Sequence, residues 1–188
     1  NVRLCSGPRT RPLYMRPCRI KVISAGDEGC GKSCLIKRYC EEKFVDRHVP
    51  TIGIDFGVKP VMVGSRQVRV NFWDMAGGAE YYEVRREFYS DAQGCLLVFD
   101  VCAQASFERL DGWLQEARGQ GAPAGMCIAV CANKVDHTRR RVVSEADGRR
   151  WASQHGAMYA ETSALDGSGV AGMFDALFRE ICRRGTGG

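Results

Sequence analysis

The chain has 188 residues, of which 45% are hydrophobic and 26% are charged, and its formal net charge is +5 at pH 7. A length in this range predicts one domain with a single sizeable core. No apolar run approaches the ~18 residues of a membrane span, and no signal-peptide pattern opens the sequence. We therefore expect neither a membrane-spanning segment nor secretion.

The excess positive charge comes from the first 20 residues, which contain five arginines and no acidic residue. Because the rest of the chain is neutral overall, nucleic-acid binding by a folded domain is not indicated. Three prolines share this segment, and together with the charge they predict a basic disordered tail over residues 1–17. A weak contact with an acidic lipid or protein surface is the alternative use of that charge.

Residues 26–33 read G-x-x-x-x-G-K-S, directly after an apolar run at 20–25 and before a helix-like segment at 34–42. Such a loop binds phosphates, because its glycines let backbone N–H groups converge and the following helix turns its positive end towards them. Lys32 would reach the β- and γ-phosphates, and the Ser33 hydroxyl would bind Mg²⁺. A glycine-rich turn with a chance Lys-Ser is the alternative, which the flanking strand and helix disfavour. The predicted nucleotide-binding residues of this loop are Asp27, Glu28, Gly29, Cys30, Gly31, Lys32, Ser33 and Cys34.

Strand-like and helix-like segments alternate along the chain, which predicts an α/β fold with helices on both faces of a mostly parallel sheet. The strands beside Gly64-Ser65 should be antiparallel, because a two-residue turn cannot support a crossover. Ser144 is expected to cap a helix. The predicted strands are 18–25, 54–63, 66–73, 94–101, 126–132 and 157–160, and the predicted helices are 31–42, 80–91, 105–119, 144–155 and 168–184.

The box Asn133-Lys134-Val135-Asp136 follows the apolar run at 126–132. The Asp136 carboxylate can accept hydrogen bonds from N1 and the exocyclic amine of guanine, a pairing that adenine cannot offer. After a phosphate loop this box is a strong signal, because strand ends at one edge of an open α/β sheet converge on one crevice. Glu161-Thr162-Ser163-Ala164 would add the Ala164 N–H to the guanine O6. The sequence thus indicates GTP rather than ATP.

Two further motifs, Thr51-Ile52-Gly53 and Trp73-Asp74-Met75-Ala76-Gly77, lie between these boxes. With them, residues 18–184 resemble a Ras-superfamily small GTPase, and the strings I-G-I-D-F, F-W-D and L-L-V-F-D resemble its Rab branch. Residues 19–24, 34–41 and 82–85 are similar to the Rab-like GTPases that carry a C-terminal J domain, although these 188 residues contain no His-Pro-Asp triplet. We expect a GTPase domain at 18–184 and a flexible end at 185–188.

The resemblance implies a P-loop NTPase fold with a six-stranded sheet, GTP or GDP as ligand, and Mg²⁺. In such proteins Thr51 and, through water, Asp74 would join Ser33 at the metal, and the Gly77 amide would contact the γ-phosphate. Phe44 would stack on the purine. The remaining residues expected at the base are Asn133, Lys134, Asp136, Ser163, Ala164 and Leu165.

The resemblance also implies protein partners: effectors that bind the GTP state, an exchange factor and an activating protein. In Rab relatives an aromatic patch is read by effectors, and the residues expected in such a patch here are Ile52, Phe56, Trp73 and Phe88. For the three aromatic residues, a place in the sheet core is the alternative. We expect a monomer that does not bind nucleic acid.

Three positions depart from the family pattern. Gly78 stands where relatives have the glutamine that orients the attacking water, so hydrolysis should be slow while binding survives. Glu28 places a carboxylate in the phosphate loop, and at ~4 Å from a phosphate charge it would be repelled by roughly 4 kcal/mol, so an outward orientation is expected. Leu165 replaces the usual lysine near the base, which affects only affinity.

The ten cysteines are scattered, and the strand-associated ones are interpreted as reduced core residues. Six residues follow Cys182, which is not a C-a-a-X box, so no intrinsic lipid anchor is predicted. We expect a cytoplasmic protein that reaches membranes only through partners. The cluster Arg139-Arg140-Arg141 is interpreted as a solvated loop, with a binding patch as the alternative.

Two functions from different classes remain open. The first is a Rab-like guanine-nucleotide switch with slow or partner-assisted hydrolysis, acting in intracellular trafficking or signalling. The second is a constitutively GTP-loaded adaptor with negligible GTPase activity, which Gly78 favours. A P-loop ATPase or nucleoside kinase is a distant third, since Asn133 and Asp136 disfavour it.

Overall fold

The computed structural model describes residues 18–42 and 50–185. Its six strands form one sheet in the order β2-β3-β1-β4-β5-β6, in which every neighbouring pair is parallel except β2 and β3. This sheet confirms the predicted α/β fold class. The strands are β1 (Cys18–Ala25), β2 (Ile54–Val63), β3 (Arg66–Met75), β4 (Gly94–Asp100), β5 (Cys127–Asn133) and β6 (Met158–Thr162).

The antiparallel pair is a hairpin with the predicted two-residue turn. Val63 pairs with Arg66, and only Gly64 and Ser65 lie between the strands. Gly64 has a φ of 61°, which glycine adopts without the steric cost that a Cβ would add. The turn therefore sets the register of the sheet edge, with Phe56 opposite Trp73.

Helices connect the remaining strands and cover both faces of the sheet. Ser144 caps α5 as predicted, since its Oγ accepts a hydrogen bond from the Asp147 N–H at 3.1 Å. Within the described ranges no helix has the length and apolar character that crossing a bilayer requires. The helices are α1 (Lys32–Glu41), α2 (Tyr82–Arg85), α3 (Gln104–Glu108), α4 (Leu110–Gly119), α5 (Glu145–Gln154) and α6 (Val170–Gly185).

The sheet separates two apolar layers, and β1 contributes alternate residues to each. Ile20 and Val22 pack into the layer that includes α1 and α6, whereas Ile23 and Ala25 pack into the layer that includes α4 and α5. Successive side chains of a strand point to opposite faces. A strand buried on both faces therefore reads as a continuous apolar run, which is the pattern on which its prediction rested.

Two helices differ from the prediction. The segment predicted as a helix at 80–91 is α2 flanked by single 3₁₀ turns at Ala79–Tyr81 and Arg86–Phe88. The last residue of α2, Arg85, binds the preceding loop, because its guanidinium donates to the carbonyl oxygens of Ala76 and Gly78. The helix predicted at 105–119 is broken into α3 and α4 at Arg109, whose side chain bonds to Asp27.

Several predicted boundaries also shift by one or two residues. The prediction that α1 begins at residue 31 and α6 at residue 168 was wrong, because Gly31 and Gly169 have φ values of 98° and 70° and cannot join a right-handed helix. The strand predicted at 66–73 continues to Met75, and the one predicted at 157–160 continues to Thr162.

The solvated-loop interpretation of the arginine cluster holds for only part of it. Arg139 and Arg140 are exposed, but Arg141 forms a two-pronged ion pair with Glu161 and donates to the Val143 carbonyl. Arg141 is therefore a structural contact to β6. No disulfide joins cysteines within residues 18–42 and 50–185, in agreement with the prediction of reduced thiols there. The predicted tail at 1–17 lies outside the described residues.

Candidate nucleotide-binding site

The phosphate loop follows β1 and is wrapped around a lysine. Lys32 is 6% exposed, and its Nζ donates to the carbonyl oxygens of Gly26 at 2.7 Å and Asp27 at 2.9 Å. Gly31 has a φ of 98°, and a Cβ there would lie 2.3 Å from the Asn133 Nδ2. This position therefore requires glycine, and the loop brings a buried positive charge to the start of α1.

Three oxygen groups predicted to bind Mg²⁺ lie in one cluster. The hydroxyl oxygens of Ser33 and Thr51 are 2.7 Å apart, and the Thr51 hydroxyl donates to the Asp74 Oδ2 at 3.3 Å. Magnesium prefers hard oxygen ligands and keeps several waters, so two hydroxyls beside one carboxylate fit it. The residues therefore suit the metal that the motif predicts.

Asp74 is oriented by a residue that sequence reasoning missed. The Ser24 hydroxyl donates to the Asp74 Oδ1 at 2.7 Å and accepts from the Met75 N–H at 3.0 Å. Ser24 is fully buried and Asp74 is 5% exposed. The signal in the sequence was a serine between the apolar residues Ile23 and Ala25 near the end of β1. Ser24 leaves the Oδ2 of Asp74 facing Thr51.

The segment before β2 contacts the segment after β3, and the segment after β3 also contacts the phosphate loop. The Ala76 N–H donates to the Gly53 carbonyl at 2.8 Å. A Cβ on Gly77 would lie 2.3 Å from the Glu28 nitrogen, so Gly77 packs directly on the backbone of the phosphate loop. Glu28 is exposed and also lines the cavity, so its outward orientation stays a prediction.

Asn133, which belongs to the first base-recognition segment, links the phosphate loop to the second one, which contains Thr162 and Ala164. Its side chain is 1% exposed, and its Nδ2 donates to the Cys30 carbonyl at 2.9 Å. Its Oδ1 accepts from the Thr162 hydroxyl and the Ala164 N–H, each at 3.3 Å. A buried amide with both ends bonded fixes the separation of the phosphate and base regions. The Ala164 N–H therefore already has a partner, with which guanine O6 would have to compete.

Asp136 is held at the base end of the site. Its Oδ1 accepts from the buried Ser163 hydroxyl at 2.7 Å, and its side chain is 15% exposed. Lys134 adopts the left-handed conformation with a φ of 69°, unusual for a residue other than glycine, and its Nζ pairs with Asp100 at 2.7 Å. Leu165 is 48% exposed and its carbonyl accepts from Arg38. Phe44 lies outside the described residues.

The sequence model of the Ras family matches residues 21–183. The chain belongs to the Ras family. It is 52% identical over 167 residues to the zebrafish (Danio rerio) protein named DnaJ homolog subfamily C member 27, a match that covers 87% of this chain and 61% of the relative. The human (Homo sapiens) protein of the same name is 49% identical over 170 residues, covering 88% of this chain and 62% of the relative. The chicken (Gallus gallus) protein is 50% identical over 167 residues, covering 87% and 61%.

These relatives confirm the resemblance to the Rab-like GTPases with a J domain. The chain spans about three-fifths of their length, since the matches cover 61% to 62% of each relative.

One loop residue of this Ras-family domain is bonded differently from what its motif position implies. Asp27 is 7% exposed, and its carboxylate accepts from Arg109 Nε at 2.7 Å and from the Trp113 indole N–H at 2.9 Å. The side chain therefore fixes the loop to α4, and only the backbone of Asp27 faces the site. Sequence reasoning missed Arg109 and Trp113, which are more than 80 residues away in sequence.

The thiols in the loop add no charge to the site. Burial raises the pKa of the Cys30 thiol, and burial likewise raises the pKa of the Cys34 thiol at the start of α1. Both are therefore neutral at physiological pH and add no charge beside Lys32.

The predicted effector patch contains a continuous row of aromatic rings. The ring centroids of Phe56 and Trp73 are 4.6 Å apart, and those of Trp73 and Phe88 are 4.8 Å apart. Phe56 is 50% exposed, and Ile52, which precedes β2, is 80% exposed. The aromatic residues predicted for the patch therefore lie together at the sheet edge. Their role in effector binding stays a prediction.

Proposed function

We propose that this chain is a GTP-binding molecular switch of Rab-like type that holds GTP or GDP with Mg²⁺ and hydrolyses GTP slowly. The observation that carries the proposal is the cluster of Ser33, Thr51 and Asp74. These residues come from three separate segments: α1, the stretch before β2, and the end of β3. A metal–triphosphate bound beside Lys32 would be in reach of all three.

The contacts between these segments suggest how the nucleotide state changes the surface. When bound, Mg²⁺ offsets the negative charge of the β- and γ-phosphates. Thr51 and Gly77 would each sense the γ-phosphate, and the bond from the Ala76 N–H to the Gly53 carbonyl ties their segments together. Release of the γ-phosphate would therefore loosen both segments at once, which is the order–disorder form of switching.

Effectors would bind the GTP state at the row of Phe56, Trp73 and Phe88, and an exchange factor and an activating protein would control the cycle. We propose a cytoplasmic location, with membrane association through partners. It would act as a monomer in trafficking or signalling. The resemblance to Rab-like proteins supports these assignments.

A GTP-loaded adaptor with negligible hydrolysis is the second candidate. Gly78 favours it, because glycine offers no group to orient water. Single-turnover phosphate release, together with the ratio of GTP to GDP bound to the purified protein, separates the two functions. A switch should hydrolyse below the ~10⁻⁴ s⁻¹ range of relatives with the glutamine, but measurably. An adaptor should retain GTP throughout.

Guanine specificity is tested by displacement of a fluorescent GDP analogue with GTP or ATP. GTP should displace the probe from the wild type, and ATP should not. Asp136→Asn should lose this preference, because it lacks the carboxylate that accepts hydrogen bonds from guanine. Asp175→Asn on the exposed side of α6 is the matched control and should behave as the wild type. Equal displacement by ATP and GTP in the wild type would refute the proposed function.

A further inference from the structure

The space beside Gly78 is occupied by a carboxylate. A Cβ built on Gly78 would lie 2.5 Å from each carboxylate oxygen of Glu80 and 2.6 Å from its carboxyl carbon. Atoms at such distances overlap, so a side chain at position 78 and the present position of Glu80 are mutually exclusive. The Glu80 carboxylate therefore lies where the side chain of residue 78 would begin.

A short turn places Glu80 there. Residues Ala79–Tyr81 form a 3₁₀ turn, in which the Tyr81 N–H donates to the Gly78 carbonyl at 3.3 Å. The same carbonyl accepts from the buried Arg85 guanidinium at 2.5 Å. Arg85 is in turn ion-paired with Glu116. The backbone that carries Glu80 is thus fixed at its start, and the charge of Arg85 is already matched by another carboxylate.

Glu80 borders the phosphate end of the site. One cavity of about 150 Å³ is lined by Lys32, Ser33, Thr51 and Gly77, and Glu80 lines the same cavity. Among residues 18–42 and 50–185 no group hydrogen-bonds to the Glu80 carboxylate, so both of its oxygens can accept from a water molecule. The cavity therefore brings a hydrogen-bond acceptor close to the groups predicted to hold the γ-phosphate.

We propose that Glu80 orients the attacking water during GTP hydrolysis, in place of the glutamine that is absent at Gly78. This inference rests on the proposed function. The water oxygen forms a bond to the γ-phosphorus as the bond between that phosphorus and the β–γ bridging oxygen breaks, and GDP leaves with the electron pair. One water proton passes to a γ-phosphate oxygen. The other stays on the new phosphate and is hydrogen-bonded to Glu80 while the bond forms.

A carboxylate suits this role less well than a glutamine. It accepts a hydrogen bond from water as the amide oxygen of glutamine does, but its charge is repelled by the γ-phosphate. Lys32 opposes this repulsion only in part. Glu80 therefore explains how hydrolysis can persist without the glutamine and why it should remain slow.

The test is single-turnover phosphate release with GTP and Mg²⁺ for the wild type and three variants. Glu80→Ala should lower the rate about tenfold or more, because the water loses its acceptor. Glu80→Gln keeps an acceptor oxygen on a chain of the same length and removes the charge that the γ-phosphate repels. Its rate should therefore equal or exceed that of the wild type. Adding Gly78→Gln to Glu80→Ala should restore hydrolysis, because removing the Glu80 carboxylate also frees the space that glutamine needs.

Glu83→Ala is the matched control, since Glu83 is exposed on the adjoining α2 and pairs only with Arg86 in the described ranges. It should hydrolyse as the wild type, and all variants should release a fluorescent GDP analogue at the wild-type rate. A Glu80→Ala rate equal to the wild type, or an equal loss in Glu80→Gln, would overturn the role of Glu80. So would a wild type that binds GTP without hydrolysing it. Failure of the wild type to bind GTP would instead refute the proposed function.

Discussion

Glu116→Gln should destabilise the domain strongly, because Glu116 neutralises a buried arginine. Its carboxylate accepts from Arg85 Nε at 2.9 Å, Arg85 Nη2 at 3.0 Å and the Tyr89 hydroxyl at 2.7 Å. The Arg85 side chain is 3% exposed and lies over the Trp113 ring at 4.7 Å. Burial acts to lower the pKa of Arg85, but the hydrogen-bonded Glu116 outweighs it and raises that pKa, so Arg85 stays charged.

The magnitude follows from what the substitution leaves behind. Removing one partner of a buried ion pair costs about 3–5 kcal/mol, because the remaining charge is uncompensated. The Glu116 side chain is 15% exposed, so water can reach the site, and glutamine keeps one acceptor oxygen. We therefore expect a loss of about 2–3 kcal/mol in the free energy of unfolding. For a domain of this size that corresponds to a fall in Tm of roughly 5–10 °C.

The measurement is urea denaturation followed by circular dichroism, with GDP and Mg²⁺ held at the same concentrations in every sample because bound ligand stabilises the native state. Glu83→Gln is the control, since Glu83 pairs with Arg86 at the surface and should change the unfolding free energy by less than about 0.5 kcal/mol. Hydrogen exchange should also accelerate in residues 76–88, which Arg85 holds through two carbonyls. A Glu116→Gln loss no larger than that of the control would refute the reasoning.

Three further predictions concern single contacts. Ser33→Asn should weaken binding of Mg²⁺–GTP more than binding of GDP, because the hydroxyl beside Thr51 is lost, and calorimetric titration of both nucleotides checks this. Gly77→Ala should make the GTP and GDP states indistinguishable by limited proteolysis, since the new Cβ would lie 2.3 Å from the backbone nitrogen of Glu28. Glu161→Gln should cost about 1 kcal/mol at neutral pH. Hydrogen bonding by Arg141 holds the pKa of Glu161 below its usual value. The stabilisation by this pair is therefore fully present above the unfolded-state pKa of ~4.3 and is lost as pH falls through the lowered folded-state pKa. Urea denaturation at a series of pH values measures this loss.

The features that could be predicted from sequence depend on short-range patterns. The bounds of β1 and of the hairpin strand β2 agree with the prediction, because an apolar run and a two-residue turn each specify local geometry. The phosphate loop and the box at Asn133 and Asp136 were recognisable because their chemistry requires fixed residue types at fixed spacing. Strand ends of a parallel sheet then bring such motifs to one edge.

The features that were missed depend on tertiary packing. The prediction of one helix at 80–91 relied on local preference, whereas Arg85, the last residue of α2, bonds through its side chain to Glu116 of α4. Arg141 was assigned to a solvated loop, yet its partner Glu161 lies 20 residues further along the chain. Such pairings become visible only when the elements are packed together, so no periodicity or motif could have indicated them.

The bonding of Trp113 has a practical consequence. Its indole N–H is bonded to Asp27 in the phosphate loop and its ring lies beside Arg85, whose guanidinium holds the segment after β3. The emission of an indole responds to its hydrogen bond and to nearby charge. Nucleotide exchange should therefore change the intrinsic fluorescence of Trp113 without any attached dye. In a Trp73→Phe variant, which removes the indole next to Asp74, Trp151 stacked on His155 at the end of α5 would supply the background signal.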